Sequence, residues 1–365
     1  MGDKSIKKRS FLNRTLIFVI SVLAVFGLIC MLFCAICPLI SPNVFVLTSY
    51  FGLAFWPILF FNLLILFVLI YLKAKKALII SLVAIILAIP GFKRSCSVNK
   101  QKTEVGNIKI MSYNVKNYSD ITDEHRQRND VKNSIIDIIN ENNPDLVCLQ
   151  ESGGWNEKNC TEFANKINCK YFAYSKEFGS NVIFSKFPLE DDDFTKEFND
   201  NSSIGLVKYV KSPAGRFYIE CVHLRSFMIT DDEIQYLHNA SSLVEESDTK
   251  GKSLIKKLKD GFEGRTGESK SVVENLPENN IPIIICGDFN DTPLSYTYHR
   301  MRKAKLEDSF LIAGNGIGKT YCGKLPLLRI DYFWCSKGIV PMTFDRIKIR
   351  QSDHYPIIMT FNVSN

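Results

Sequence analysis

The chain changes character partway along its length. From Thr15 to Leu72 there is not one charged residue, and Ala77–Phe92 is equally clean. A helix needs roughly 20 apolar residues to cross a hydrocarbon core about 30 Å thick. Thr15–Cys37 predicts one span, with a break at Pro38–Pro42, and Tyr50–Leu72 predicts a second. Ala77–Phe92 is short for a span and ends near Pro90. It reads as a third transmembrane helix, with an interfacial or re-entrant segment as the alternative. The expected organisation is a membrane anchor over 1–93, a polar linker over 94–105 and a globular domain over 106–365.

From Gly106 onward short β-rich runs alternate with helical patterns. The predicted strands are Ile108–Asn114, Asp145–Glu151, Asn181–Ser185, Phe217–His223, Ile281–Asp288, Ile330–Cys335 and Pro356–Phe361. Ile135, Ile136, Ile138 and Ile139 predict an amphipathic helix over Arg128–Asn140. Two or three further helices are expected around Asp231–Glu246, Lys252–Phe262 and Arg265–Leu276. Strands interleaved with helices argue for an α/β domain of stacked sheets.

Charge supports the same division. Residues 1–104 hold twelve Lys/Arg against two Asp/Glu, which leaves 33 basic and 36 acidic residues in the remainder. The overall charge of +7 therefore belongs to the membrane flanks and gives no case for a basic nucleic-acid surface. Lys4, Lys7, Lys8, Arg9 and Arg14 precede the first span, and Lys73, Lys75 and Lys76 separate the second from the third. The positive-inside rule puts both on the cytoplasmic side, so three spans place the globular domain outside the cytoplasm, whereas two would leave it inside; Lys93 and Arg94 weakly oppose the first orientation. Ionisable residues are absent from the spans, which argues against a transporter or channel.

The chemistry-bearing residues fall where the predicted strands end. Asn114, Glu151, His223, Asp288 with Asn290, and Asp331 lie at or just past such ends, and Asp353-His354 precede the last strand. Rigid scaffolds present reactive side chains at such places. Asp, Glu and Asn suit a hard cation such as Mg²⁺, and no Cys/His spacing suggests zinc. Arg225 and Arg329 are candidates for phosphate contact, because guanidinium grips phosphate bidentately. Singly, Asn114 could be a turn residue and His223 a satisfied core histidine; jointly the set reads as a site. Cys160 and Cys169 are close enough in sequence for a disulfide, and Cys148, Cys221 and Cys286 read as small core residues.

Ser112-Tyr113-Asn114, Leu149-Gln150-Glu151, Gly287-Asp288-Phe289-Asn290, Arg329-Ile330-Asp331-Tyr332 and Ser352-Asp353-His354-Tyr355-Pro356 resemble, in order, the motifs of the endonuclease/exonuclease/phosphatase superfamily. The segments Gly287–Tyr298 and Arg329–Tyr332 are similar to those of membrane-tethered bacterial members. The resemblance covers about 107–362 and implies a four-layered α/β sandwich, two packed sheets with helices outside. It implies a Mg²⁺-dependent hydrolase of phosphoric esters, with Mn²⁺ as an alternative ion. Glu151 would be the main metal ligand, helped by Asn114 and Asp353. Asp288 would activate the attacking water, with Asn290 holding the phosphate and His223 donating to its oxygens. His354 would be acid/base or phosphate donor, held by a carboxylate for which Asp331 is the first candidate; which histidine pairs with Asp331 stays open. The expected partners are a phosphate-ester substrate (phospholipid headgroup, nucleotide or nucleic acid) and membrane lipid around the N-terminal helices, with no protein partner indicated. The competing reading is a non-catalytic membrane-tethered scaffold, expected if Glu151, Asp288 or His354 had been lost.

Overall fold

The computed structural model describes residues 2–99, 104–120, 122–123, 125–175, 181–191, 204–230, 233, 247–277, 280–323 and 327–364. The chain divides into two compact units, one of Met1–Ser95 with Pro293–His299 and the other of Cys96–Thr292 with Arg300–Asn365.

The first unit is helical: α1 (Gly2–Ile36), α2 (Leu47–Leu53), α3 (Phe55–Tyr71) and α4 (Lys75–Ser95). Asn13–Leu39 and Lys75–Ser95 are long and apolar enough to cross a membrane, and α2 with α3 qualifies only as a pair bent by 71°. The expected straight second span, Tyr50–Leu72, is thus broken. Ala54 leaves helical geometry, and Pro57 in the first turn of α3 has no N–H to carry a helix back through it. The segment expected to be marginal is instead a continuous 21-residue helix with Pro90 inside it. Met31, Cys34, Phe55, Leu59, Ala84, Ala88 and Leu294 share a buried cluster. Buried Asn62 donates Nδ2 to the carbonyls of Gly27 at 3.2 Å and Ile58 at 2.9 Å. A Cβ at Gly27 would sit 2.5 Å from Asn62 Oδ1, so glycine permits that approach.

The second unit holds two mixed six-stranded sheets flanked by helices, the α/β sandwich expected. The strands of these two sheets are β1 (Ile108–Asn114), β2 (Leu146–Gln150), β3 (Tyr171–Tyr174), β4 (Val182–Ser185), β5 (Leu189–Glu190), β6 (Gly205–Ser212), β7 (Gly215–His223), β8 (Ile283–Asp288), β9 (Glu307–Asp308), β10 (Asp331–Cys335), β11 (Ile339–Arg346) and β12 (Ile357–Val363). One sheet runs β11-β12-β1-β2-β4-β3, the other β9-β10-β8-β7-β6-β5. The parallel pairs are β1 with β2 and β7 with β8.

Side chains alternate across a strand, and this alternation positions the site. Ile108 and Ile110, Leu146 and Cys148, Ile219 and Cys221, Ile284 and Cys286, and Phe333 share one buried core. The intervening Met111, Tyr113, Val147 and Leu149 pack instead with Val131, Ile135, Ile139, Cys160 and Phe163 of α5 (Arg128–Asn142) and α6 (Glu157–Lys166). Two further residues along the inner faces come Gln150, His223 and Asp288, and on β1 Ser112 and then Asn114, while β10 opens on Asp331. α5 matches the expected amphipathic helix, closed by Asn143 in the left-handed region. The stretches expected after Lys252 merge into one helix, α7 (Ser247–Glu274), despite Gly261, Gly264 and Gly267. The helix expected over Asp231–Glu246 lies almost wholly outside the described residues. Cys160 and Cys169 are buried free thiols, not a disulfide.

Candidate active site

Strand register aligns three of the predicted residues. His223 on β7 pairs with Asp288 on β8, and Asp288 pairs with Asp331 on β10. Neighbours in register point to the same face, so an imidazole and two carboxylates stand side by side. The other sheet pairs Asn114 with Gln150, and Glu151 follows in the left-handed region at φ 47°. Asn290 also lies there, at φ 50°. Such strain in residues with a side chain clusters at functional sites. Gly287 has φ 136°, and a Cβ there would lie 2.0 Å from the Val222 carbonyl oxygen. Only glycine lets β8 approach β7 this closely just before Asp288.

Asn114 bridges the two groups, donating Nδ2 to Glu151 Oε1 and to Asp288 Oδ2, each at 2.9 Å. Asp288 is almost wholly buried; its Oδ1 accepts the Asn290 amide at 2.8 Å and its Oδ2 the Asn290 Nδ2 at 3.1 Å. Burial, reinforced by Asp331, pushes the Asp288 carboxyl above the usual range against the opposing pull of His354 and His223. His223 Nε2 lies 3.3 Å from Glu151 Oε1 and 3.8 Å from Asp288 Oδ2. The first is an ion-pair distance without the alignment of a hydrogen bond. Burial opposes ionisation at Glu151, yet His223 and the Asn114 donor outweigh it and hold the carboxyl down to about 2.

Asp331 pairs with His354, whose Nδ1 lies 2.9 Å from Oδ2 and 3.1 Å from Oδ1. That answers the question the sequence left open. His354 Nε2 is 3.6 Å from Asp288 Oδ2. Burial would discharge this imidazole, but the Asp331 and Asp288 carboxylates raise it to about 10. Tyr321 packs edge-on to the ring at 5.4 Å.

The donor chemistry fits a hard divalent cation. Glu151, His223 and Asp288 present ligand atoms within 4.8 Å of one another, as do Asp288, Asp331 and His354. The carboxylates offer the ligand type such ions take; Asn114, expected as a helper ligand, instead turns Nδ2 toward them while its Oδ1 accepts the Lys116 amide at 3.0 Å.

Three predicted residues sit apart from these clusters. Asp353 belongs to neither; its Oδ2 pairs with Lys116 Nζ at 3.2 Å. Arg225 is more than half exposed and pairs through Nε with Glu268 at 3.3 Å. Arg329, expected to grip phosphate, is buried instead. Its Nη1 lies 2.7 Å from Asp308 Oδ2, and its guanidinium stacks 4.7 Å from the Phe310 and Tyr332 rings. A guanidinium removed from water needs such a partner, and Asp308 supplies it. The sequence motif contains Ser352 but assigns it no role; it is fully buried, and its hydroxyl donates to the Asn114 carbonyl at 2.8 Å and ties the Asp353-His354 loop to β1. Sequence reasoning missed Arg265 and its partner Asp291, since nothing separates that arginine from the charged face of a solvated helix.

Among solved structures, the endonuclease/exonuclease/phosphatase from Beutenbergia cavernae is similar at 13% identity and TM-score 0.49, covering 71% of this chain and 72% of that one. The human Nocturnin catalytic domain with bound sulfate is similar at 17% identity and TM-score 0.49, covering 70% and 94%. A Neisseria 3′ phosphatase bound to a product DNA hairpin is similar at 16% identity and TM-score 0.46, covering 70% and 99%. No curated protein matches the chain. A family described as a domain of unknown function matches residues 14–95. Residues 111–354, which contain every side chain of the two clusters, match the Endonuclease/Exonuclease/phosphatase family, so the chain belongs to that family and is a hydrolase of phosphoric esters.

Proposed function

We propose that the chain is a membrane-anchored, Mg²⁺-dependent hydrolase in which the row His223–Asp288–Asp331, with His354 against it, works opposite Asn114 and Glu151. The observation that carries this reading is the row itself: a histidine and two carboxylates aligned by strand register, with His354 hydrogen-bonded to Asp331 and Asn114 bridging Asp288 to the carboxylate of Glu151.

Glu151 is the residue that would hold the ion, its carboxylate fixed by the Asn114 amide, and Asp288 Oδ2 lies in the same group. A divalent ion there supplies polarisation of a phosphoryl oxygen and neutralisation of the charge that develops in transfer. The protein groups do the rest. Asp288, raised by burial, accepts the proton of the attacking water, and Asn290 fixes the orientation of that carboxylate. His354, kept protonated by Asp331, presents Nε2–H to a phosphate oxygen. His223 serves as a second donor from the other side of Asp288.

The N-terminal helices anchor the enzyme in a membrane. With α2 and α3 counted as one crossing, three crossings put the catalytic unit outside the cytoplasm. The slight acidity of residues 105–365 disfavours a tight grip on long nucleic acid, which draws on many Lys/Arg contacts. A phospholipid headgroup or another small phosphodiester suits the anchor better.

The test is an assay of the full-length protein in detergent against phosphoinositides, phosphatidylcholine, sphingomyelin, RNA, plasmid DNA and bis-p-nitrophenyl phosphate. Turnover that requires Mg²⁺ and disappears with EDTA and with Asp288→Asn supports the reading. A folded protein that turns over nothing and binds no Mg²⁺ favours the scaffold instead.

A further inference from the structure

Arg265 lies in α7, which contributes no side chain to the site, yet its guanidinium is fully buried. A buried charge must be compensated by partners, and the partners here belong to two different loops. Nε lies 3.2 Å from Asp291 Oδ2, and Nη1 donates to the Arg225 carbonyl at 2.7 Å. The Phe227 ring lies 4.2 Å from the guanidinium carbon and the Phe262 ring 5.4 Å. Arg225 follows His223 by two residues; Asp291 follows Asn290 directly.

Those two loops are otherwise joined by small contacts. The Leu224 amide donates to the Asp288 carbonyl at 2.9 Å, and Asn290 Nδ2 donates to the Leu224 carbonyl at 2.9 Å. Glu268, one turn further along α7, accepts the Arg225 amide at 2.7 Å and pairs with the Arg225 guanidinium. Asp291 is held in turn, its carbonyl accepting from Tyr332 Oη at 2.8 Å. Asn290 sits at φ 50°, a conformation that persists only where its surroundings impose it.

We propose that Arg265 is a positioning residue that staples the His223 loop to the Asp288–Asn290 loop and so fixes the spacing of the two. The proposal rests on the hydrolase reading above. Arg265 touches none of the reacting groups; it acts through the backbone of Arg225 and the carboxylate of Asp291. The Lys-rich helix after β7 is then a brace for the site. Glu151 and Asn114 stand on the other sheet, so the staple governs the water and phosphate side of the site and leaves metal affinity alone.

The test compares wild-type full-length protein in detergent with Arg265→Gln, Arg265→Lys and Asp291→Asn. The readouts are amide hydrogen exchange at Leu224 and Asn290, exchange at Val115 and Asn117 as controls on the other sheet, kcat, and the Mg²⁺ concentration for half-maximal rate. In Arg265→Gln and Asp291→Asn, exchange at Leu224 and Asn290 accelerates about tenfold or more, and the controls do not change. The kcat falls about 10- to 100-fold, the loss expected when catalytic groups shift by about an ångström. Half-maximal Mg²⁺ stays within about twofold, since Glu151, the residue proposed to hold the ion, stands on the other sheet. Arg265→Lys keeps the charge on Asp291 without the second arm and falls between. Unchanged exchange at Leu224 and Asn290 overturns the staple, as does equal acceleration at all four amides, which marks a merely structural residue. A wild-type protein with no metal-dependent turnover overturns the hydrolase reading instead, while the exchange comparison still decides whether Arg265 ties the loops.

Discussion

His354 Nδ1 lies 2.9 Å from Asp331 Oδ2, and that contact leaves the other ring nitrogen facing Asp288 at 3.6 Å. A carboxylate behind an imidazole fixes its tautomer and orientation and favours its charged form. Here the effect outweighs burial and raises His354 to about 10, so the ring is a proton donor throughout the neutral range.

Asp331→Asn therefore lowers kcat by about 10²-fold or more, because the amide neither fixes the tautomer nor supports the charge. The sign of the pH dependence follows. Wild-type His354 loses its proton only as pH approaches about 10; in the variant it falls toward the ordinary value of about 6.5, so the residual rate declines above neutrality. A pH–rate profile of the two proteins checks this, and coincident alkaline limbs contradict it.

Glu151 and Asp288 separate by kinetics. Glu151→Gln raises the Mg²⁺ needed for half-maximal rate about tenfold or more, with a smaller effect at saturation. Asp288→Asn lowers kcat about 10²- to 10⁴-fold, as loss of a general base does, with the Mg²⁺ requirement little changed. Metal titrations of both variants decide between these roles.

Asp308→Ala leaves the Arg329 guanidinium buried without its carboxylate. Unfolding free energy falls by about 3–5 kcal/mol, the cost of an uncompensated buried charge. Turnover per folded molecule stays near wild type, since Arg329 is held in that pair and away from the site. Denaturant unfolding read beside active-site titration tests both halves.

Glu220 on β7 is fully buried, with Tyr218 Oη at 3.3 Å as its hydrogen-bond donor. Burial pushes its carboxyl up to about 8 against that donor. The unfolded chain releases this proton near pH 4.3 and the folded chain only near 8, so the folded state binds more protons in between. Stability contributed by neutral Glu220 is complete below about pH 4.3, falls as pH rises to about 8 and levels off above it. Glu220→Gln removes that slope and is the more stable protein at pH 8; parallel slopes in the two contradict the assignment.

Much of the site was legible because of strand periodicity and motif order. His223 and Asp288 terminate inner-face rows whose earlier members are plainly apolar, Asn114 follows Ile108, Ile110 and Ser112 on its own strand, and Asp331 opens a row that continues through Phe333 and Cys335. The period of two that marks Ile284 and Cys286 as core also points Asp288 inward. Arg329 shows the limit: a basic residue beside a motif reads as a phosphate ligand until Asp308, 21 residues earlier, is seen to be its partner. Arg265 shows the same limit from the other side. Its neighbours in sequence are those of an exposed helix, and only the fold brings Asp291 and the Arg225 carbonyl to it. The bend in the second apolar stretch came from Ala54 and Pro57, local features that an uninterrupted run of apolar residues conceals.

The central claim is that Glu151 and its neighbours hold a divalent ion that phosphoric-ester hydrolysis requires. It is tested most directly by turnover of bis-p-nitrophenyl phosphate by the full-length protein as a function of Mg²⁺, with Glu151→Gln alongside. The account predicts a saturable dependence that EDTA abolishes and that moves to about tenfold higher Mg²⁺ or beyond in the variant. Turnover indifferent to metal, or identical curves for the two proteins, contradicts it.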